Sequence, residues 1–272
     1  MIDEVRYHML RPDQAVARRQ VCPVAYIPIG TLEWHGVHNP LGADTLQAEG
    51  LAVLCAQKGG GLVFPSLYYG ESRSEALMEA NAQDRELIAQ GMRLPAENFT
   101  LEHQPFSTID QALNYHKLLL HILFEVATLG FEVGVLVAGH YPLIDHARSA
   151  VCQFNQVGHS KRLGMLAWAF VDYQLVSHLY EGAGDHAGGW ETSHVLALHP
   201  DKVDISLLPP KGERLVGVGG ALQPQDSSAE FGRATLESAA EIAVQEVKHR
   251  LENKVIYARH GNSLKEGLWR KP

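Results

Sequence analysis

Cysteine is scarce in this sequence, and the three residues present, Cys22, Cys55 and Cys152, lie far apart without a C-x-x-C pair. An odd number at wide spacing argues against a disulfide framework and is compatible with a reducing compartment. The N-terminal residues hold no apolar run of the signal-peptide kind, and no stretch approaches about 18 uninterrupted apolar residues. We therefore expect a cytoplasmic protein without a membrane span.

Positive charge is also limited, because 23 Lys and Arg residues stand against 31 Asp and Glu residues and leave a formal net charge of −8. Nucleic-acid-binding proteins normally show basic patches, and proteins that bind anionic membranes show clusters of Lys and Arg. The sequence has no Lys/Arg run, so we expect neither a nucleic-acid partner nor a membrane partner. Histidine is plentiful, with 15 residues, and some of these lie beside carboxylates.

Short apolar runs alternate with helical patterns, which predicts a layered α/β domain with a mainly parallel sheet. The 272 residues, 46% of them hydrophobic, are enough for a substantial core. The predicted strands are 24–29, 62–64, 133–137 and 165–171. The predicted helices are 45–57 with Asp44 as its cap, 109–129 with Thr108 as its cap, 143–157, 191–198 and 236–251.

Polar residues follow three of these strands, where parallel sheets commonly bind ligands. Glu33 and His35 follow the first strand, His140 follows the strand 133–137, and His186 comes after the strand 165–171 by a longer connection. The sequence therefore predicts a polar site at one edge of the sheet.

The segment IGTLEWHGVHNPLGAD, residues 29–44, concentrates potential metal ligands. Glu33 and His35 are two positions apart, so they point the same way on an extended chain. The Asn-Pro-Leu-Gly turn can fold back and bring Asp44 to the same place. Mixed histidine and carboxylate ligands without sulfur suit Zn²⁺, Mn²⁺ or Fe²⁺. The alternatives are that Asp44 only caps a helix and that Glu33 and His35 form a surface ion pair.

Two further ligands are predicted from the other strand ends. His140 lies directly after an apolar strand, and Glu191 lies in the first turn of a predicted helix. The alternative for Glu191 is a simple interaction with the helix dipole. His38 is better suited to supporting the ligands through hydrogen bonds than to binding a metal ion.

Four segments together resemble the creatininase (creatinine amidohydrolase) family. They are TLEWHGVHNPLGAD, AGHY, DHAGGWETS and, more loosely, FGRATLESAAE, and they occur in the family's order. The resemblance implies a three-layer α/β/α hydrolase fold with a mainly parallel sheet, two divalent metal ions per subunit and assembly as a homohexamer. It also implies a single domain over residues 1–272, in which the polar, proline-broken segment at about 72–108 is expected to be an insertion.

Carried over residue by residue, the resemblance places Glu33 and His140 on one ion and His35 on the other, with Asp44 bridging. Creatininase has a further glutamate ligand where this chain has Pro142, which cannot ligate through its side chain. We expect Glu191 to supply that carboxylate. A second departure is Ala138, where the family usually has asparagine.

The predicted activity is the opening of a small cyclic amide, or cleavage of a related C–N bond, by metal-activated water. The predicted catalytic residues are His186, which resembles the family's proton-shuttling histidine, and Glu191. The alternative for His186 is a structural role. The residues expected to contact the substrate are Trp190, Tyr141, Trp168, His38 and Asp185, although the two tryptophans also suit a core position.

Two other functions remain open from the sequence. One is hydrolytic ring opening of a non-amide substrate such as a keto-inositol derivative in sugar catabolism. The other is a non-catalytic, metal-bound assembly protein. The insertion at about 72–108 is expected to form a lid, a subunit contact or a surface excursion without a catalytic role. The tail after Tyr257 is expected to be extended or docked on a neighbour.

Overall fold

The computed structural model describes residues 4–70, 81–100, 105–157 and 162–257. Within them, one parallel sheet has the strand order β2-β1-β3-β4. Its strands are β1 Val24–Ile29, β2 Leu62–Val63, β3 Val133–Ala138 and β4 Leu166–Val171. All four strands predicted from the sequence are present, with small shifts at their ends.

The α-helices of the described chain cover both faces of this sheet. None of them combines the length and apolar character needed to cross a membrane. Their bounds are α1 Pro12–Val21, α2 Ala43–Gly59, α3 Arg85–Met92, α4 Thr108–Thr128, α5 Leu143–Gln156, α6 Asp172–Val176, α7 Gly189–Leu198, α8 Ala229–Glu252 and α9 Lys254–Tyr257.

Alternate residues of each strand enter different cores, because successive side chains of a strand point to opposite faces. In β1, Ala25 and Ile27 pack with α4 and α5, whereas Val24 and Tyr26 pack with α2 and α8. Strands β1, β3 and β4 are buried along their whole length, as a sheet covered on both faces requires. The predicted three-layer α/β/α fold is confirmed.

The predicted helix caps need correction. Helix α2 begins at Ala43, so Asp44 lies inside its first turn and is not the cap. Ser107, rather than Thr108, caps α4, because its hydroxyl accepts the N–H of Asp110 at 3.1 Å. Helix α8 begins at Ala229, well before Leu236. Its cap is Ser228, whose hydroxyl accepts the N–H of Phe231 at 3.1 Å. Neighbouring hydroxyl residues can each serve as a cap, and only the hydrogen bonds decide between them.

Part of the predicted insertion, residues 72–80 and 101–104, lies outside the described residues, as does the tail after Tyr257. The described part contains α3, whose Ile88 is fully buried against Trp34. Phe99 and Val216 pack against the same pair. This part of the segment therefore packs against the loop that follows β1.

Candidate metal centre

The loop after β1 turns back on itself and returns the chain to the end of the sheet. The N–H of Glu33 donates to the carbonyl of Leu41 at 3.1 Å, which closes the loop. The first turn of α2 then begins beside Glu33, and its residue Asp44 is 1% exposed. The Pro-Gly turn thus brings Asp44 back toward Glu33 and His35.

Two glycines at strand ends allow the first turn of α2 to approach the sheet closely. A Cβ atom on Gly30, after β1, would lie 2.3 Å from Oγ1 of Thr45. A Cβ atom on Gly139, after β3, would lie 1.8 Å from the backbone oxygen of Asp44. Any larger residue at either position would push the turn away, so these glycines determine where the Asp44 carboxylate can lie.

Glu33, Asp44 and His140 form the first set of potential metal ligands. Nδ1 of His140 lies 2.8 Å from Oε1 of Glu33 and 3.2 Å from Oδ2 of Asp44. The approach angles lie outside hydrogen-bond geometry, and within the described chain neither carboxylate oxygen has a hydrogen-bond donor. Buried polar atoms of this kind normally have partners, and a cation would satisfy both.

His35, Asp44 and Glu191 form the second set. Nε2 of His35 lies 3.0 Å from Oδ1 of Asp44 and 3.5 Å from Oε2 of Glu191. Nδ1 of His35 lies 3.3 Å from the backbone oxygen of Glu33. If Nδ1 carries the proton and donates it there, the Nε2 lone pair is directed at the carboxylates, an orientation typical of metal-binding histidines. Asp44 therefore belongs to both sets through different oxygens.

The side chains of the two sets form one cluster, and their charges indicate that this cluster favours a cation. Burial raises the pKa of Glu33 and of Glu191, since both carboxylates are removed from water. Burial alone would lower the pKa of His35 and of His140. The surrounding carboxylates, Asp44 foremost and then Glu33 and, for His35, Glu191, together outweigh that effect and raise each pKa to about 10. Divalent metal ions would supply the same compensating positive charge.

Helix α7 positions Glu191, and Asp185 fixes the start of that helix. The two oxygens of Asp185 accept the N–H groups of Trp190 at 2.6 Å and Glu191 at 3.1 Å, as a helix-capping carboxylate does. Oε2 of Glu191 accepts the N–H of Ala187 at 2.8 Å. Asp185, which was expected to contact the substrate, therefore orients the chain that carries Glu191. Burial raises the pKa of Asp185 to about 6.

His186 lies at the open side of the cluster, with 15% of its side chain exposed, whereas the Glu33 and His35 side chains are fully buried. Its Nε2 lies 3.0 Å from the carbonyl oxygen of Trp34, and its Nδ1 lies 3.7 Å from Oε1 of Glu33. Burial, together with the nearby His35, lowers the pKa of His186 to about 3, so the ring is neutral near pH 7. With Nε2 donating to the carbonyl, Nδ1 can accept a proton.

Two other predicted substrate-contacting residues lie around the cluster. The hydroxyl of Tyr141 accepts the N–H of Asp185 at 3.0 Å. His38 is buried, and its Nε2 lies 3.0 Å from Oγ1 of Thr192 in α7. Burial lowers the pKa of His38 to about 4. His38 thus links the loop after β1 to α7 through hydrogen bonds.

The structure does not bring the two predicted tryptophans to an open pocket. Trp190 is fully buried, and its Nε1–H donates to Asp172 at 2.7 Å. Trp168 lies in the core between the sheet and α8, with the guanidinium of Arg250 4.3 Å from its ring centroid. Trp168 is the partner of Val135 near the middle of the sheet rather than at its carboxyl edge. Both side chains therefore lie in the core, the alternative position that the sequence also allowed for them.

Sequence reasoning missed three buried polar residues near the ligands. Gln47 donates to Oε1 of Glu191 at 3.2 Å, and its own Oε1 lies 3.1 Å from Nδ1 of His194. Asn81 lies 3.3 Å from Oε2 of Glu33. A signal existed for Gln47 and His194, because each lies one helical turn after a ligand on the same helix. No local pattern indicates Asn81.

Comparison with known proteins identifies similar sequences. The family model for creatininase, described as creatinine amidohydrolase, matches residues 8–82 and 74–247. A creatinine amidohydrolase from Pseudomonas putida is 28% identical over 194 residues, which are 67% of this chain and 66% of that protein. The chain thus spans just under two thirds of the length of that curated relative.

Solved structures share the fold. A creatininase variant of Zn-Zn type has a TM-score of 0.63 at 22% identity, over 92% of this chain and 98% of the other. A structure named creatininase Mn has a TM-score of 0.61 at 23% identity, over 92% of this chain and 99% of the other. At these identities the likeness establishes the fold alone.

Proposed function

The chain belongs to the creatininase family, and from that membership we propose that it is a metal-dependent hydrolase that opens a small cyclic amide or cleaves a related C–N bond. The observation that carries this proposal is the pair of ligand sets that share Asp44 through its two oxygens. Glu33 and His140 would hold one ion, and His35 and Glu191 would hold the other. The zinc and manganese forms among the similar structures support the use of divalent metal.

Divalent ions bound in such a site lower the pKa of a water molecule and polarise a carbonyl oxygen. The chain itself would supply the proton transfer. Nδ1 of His186 would accept a proton from the attacking water and pass it to the leaving nitrogen, because Nε2 is oriented toward the carbonyl of Trp34. The partial exposure of His186 would allow it to reach a substrate.

Removal of single ligands tests the site. We expect Glu33→Gln and Asp44→Asn to lose bound metal, with the larger loss for Asp44→Asn because Asp44 belongs to both sets. The measurement is elemental analysis of the purified proteins after dialysis. Glu97→Gln is the matched control, since Glu97 is exposed and outside these sets. Full metal content in both ligand variants would contradict the proposed centre.

A substrate screen tests the chemistry. With metal restored, the protein is expected to turn over cyclic amides, and His186→Gln is expected to lose most of that activity, roughly 10²- to 10⁴-fold for a general acid–base residue. Turnover of carbocyclic ketones alone would contradict amide hydrolysis. Complete inactivity at normal metal content would contradict an enzymatic role.

We further propose that the chain forms one domain and acts in the cytoplasm as a homo-oligomer, with the hexamer implied by the family resemblance. Light scattering coupled to gel filtration measures the assembled mass. A monomeric mass would contradict the proposed assembly.

A further inference from the structure

Asn81 is a fully buried polar residue that comes from the segment outside the family-like motifs. Its Nδ2 lies 3.3 Å from Oε2 of Glu33 and 3.1 Å from the carbonyl oxygen of Trp34. An ionised carboxylate and a backbone carbonyl can only accept hydrogen bonds. The nitrogen end of the amide must therefore face both groups, and its two hydrogens serve the two acceptors.

These contacts give the two oxygens of Glu33 different roles. Oε2 accepts from Asn81, whereas Oε1 points to His140 and has no hydrogen-bond donor within the described chain. The Trp34 carbonyl that accepts from Asn81 also lies 3.0 Å from Nε2 of His186. One amide thus ties Glu33 to the backbone group that orients His186.

A second loop lies beside Asn81. Gly217 lies so close that a Cβ atom there would be 2.4 Å from Oδ1 of Asn81. The N–H of Gly217 donates to Asp84 at 2.8 Å, and Asp84 follows Asn81 in the same segment. Gly219 of the loop exchanges two backbone hydrogen bonds with His186, at 2.7 and 2.8 Å. The loop that carries Gly217 and Gly219 therefore lies close to the amide of Asn81 and is hydrogen-bonded to both Asp84 and His186.

We propose that Asn81 is a positioning residue that holds the Glu33 carboxylate so that Oε1 faces the ion shared with His140 and Asp44. The inference rests on the proposed metal centre. Partners that orient a metal ligand typically account for about 10- to 100-fold in metal affinity. Asn81, in the described part of the segment at about 72–108, would then complete the surroundings of Glu33.

Zinc binding by the whole chain tests this role. The probe is Zn²⁺ alone, in competition with a chromophoric chelator, and the variant is Asn81→Leu, which keeps similar bulk and removes both N–H donors. We expect its tightest zinc affinity to fall about 10- to 100-fold. Asn81→Ser is a second variant should Asn81→Leu fail to fold, because its short hydroxyl cannot serve both acceptors, and the same loss is expected.

The matched control is Asn155→Leu. Asn155 is also buried, and its amide exchanges hydrogen bonds with the backbone of Ala167, both at 2.9 Å, away from the ligands. This variant is expected to lose stability and keep its zinc affinity. Wild-type zinc affinity in the soluble Asn81 variants would overturn the proposal. So would a loss of zinc affinity in Asn155→Leu as large as that in the Asn81 variants. If Glu33→Gln also binds zinc like the wild type, the metal centre itself is wrong, which is a separate outcome.

Discussion

At the scale of single residues, Asp44 contributes a different oxygen to each ligand set. Oδ1 faces His35 at 3.0 Å, and Oδ2 faces His140 at 3.2 Å. The carboxylate lies in the first turn of α2, where the helix dipole favours negative charge. Burial would raise the pKa of Asp44, but the two histidines hold it well below its usual value. Asp44 is therefore ionised and able to bridge.

The amide of Gln47 supports the second ligand set as Asn81 supports the first. In Gln47→Leu, Oε1 of Glu191 would lose its donor at 3.2 Å and His194 would lose its partner at 3.1 Å. We expect zinc affinity at the position of His35 and Glu191 to weaken about 10- to 100-fold, because Glu191 could rotate. Titration of zinc against a chelator measures this change.

Gln57→Leu is the control for this prediction, because Gln57 is an exposed residue of the same helix. It should leave zinc binding unchanged. Unchanged zinc binding in Gln47→Leu would show that the hydrogen bond to Glu191 is dispensable.

At the scale of elements, the site depends on how closely α2 approaches the ends of β1 and β3. Gly30 and Gly139 make room for its first turn, and the parallel register aligns Ile29 with Ala138 at the same edge. Glu33 and His140, which follow these strand ends, therefore meet around Asp44. The spacing of elements, rather than any single contact, determines the separation of the ligands.

Substitution of Gly139 tests this arrangement. In Gly139→Ala, the new methyl group would lie 1.8 Å from the backbone oxygen of Asp44, so the helix must shift. We expect the free energy of unfolding to fall by about 1–3 kcal/mol or more, since overpacking typically costs that much. We also expect the zinc content to fall. Denaturant unfolding and elemental analysis measure the two effects.

Gly134→Ala in the same strand is the control. Its nearest neighbour would be the flexible end of Met165, 3.0 Å away, so a smaller loss of stability and full zinc content are expected. Equal losses of stability and of zinc content in the two variants would contradict the proposal that Gly139 sets the position of α2.

At the scale of the whole molecule, buried neutral histidines make the stability of the metal-free protein depend on pH. His194 is 1% exposed, and burial lowers its pKa from 6.5 to about 3. The unfolded chain would therefore bind a proton at this residue below about pH 6.5, while the folded chain would not. The stabilising contribution of neutral His194 is lost as the pH falls from 6.5 toward 3, by up to about 1.4 kcal/mol per pH unit.

Comparison of variants isolates this contribution. Asp172 lies 3.6 Å from Nδ1 of His194 and acts in the opposite direction, because burial raises its pKa to about 6. We expect His194→Gln to lose less stability than the wild type between pH 6.5 and 4.5, measured by denaturant unfolding in the presence of a chelator. His178→Gln, at an exposed position, is the control. An identical pH dependence in wild type and His194→Gln would contradict the expectation.

The sequence by itself determined the strands and a layered α/β fold with a parallel sheet, and it indicated which side chains are potential metal ligands. These follow from local signals, namely apolar periodicity and polar residues at strand ends, which act over a few positions of the chain. The spacing of Glu33, His35 and Asp44 is likewise local, since one loop joins them. Helix starts such as that of α8 were placed less well, because several nearby hydroxyl residues can act as caps.

Only the tertiary structure decided which oxygen of Asp44 faces which histidine and which buried polar groups support the ligands. Trp168 and Trp190 belong to the core, and Asn81 reaches Glu33 from a distant segment. Periodicity indicates that a side chain is buried but not what it will contact. Those contacts depend on packing between elements far apart in the chain, and that packing brings the potential metal ligands together.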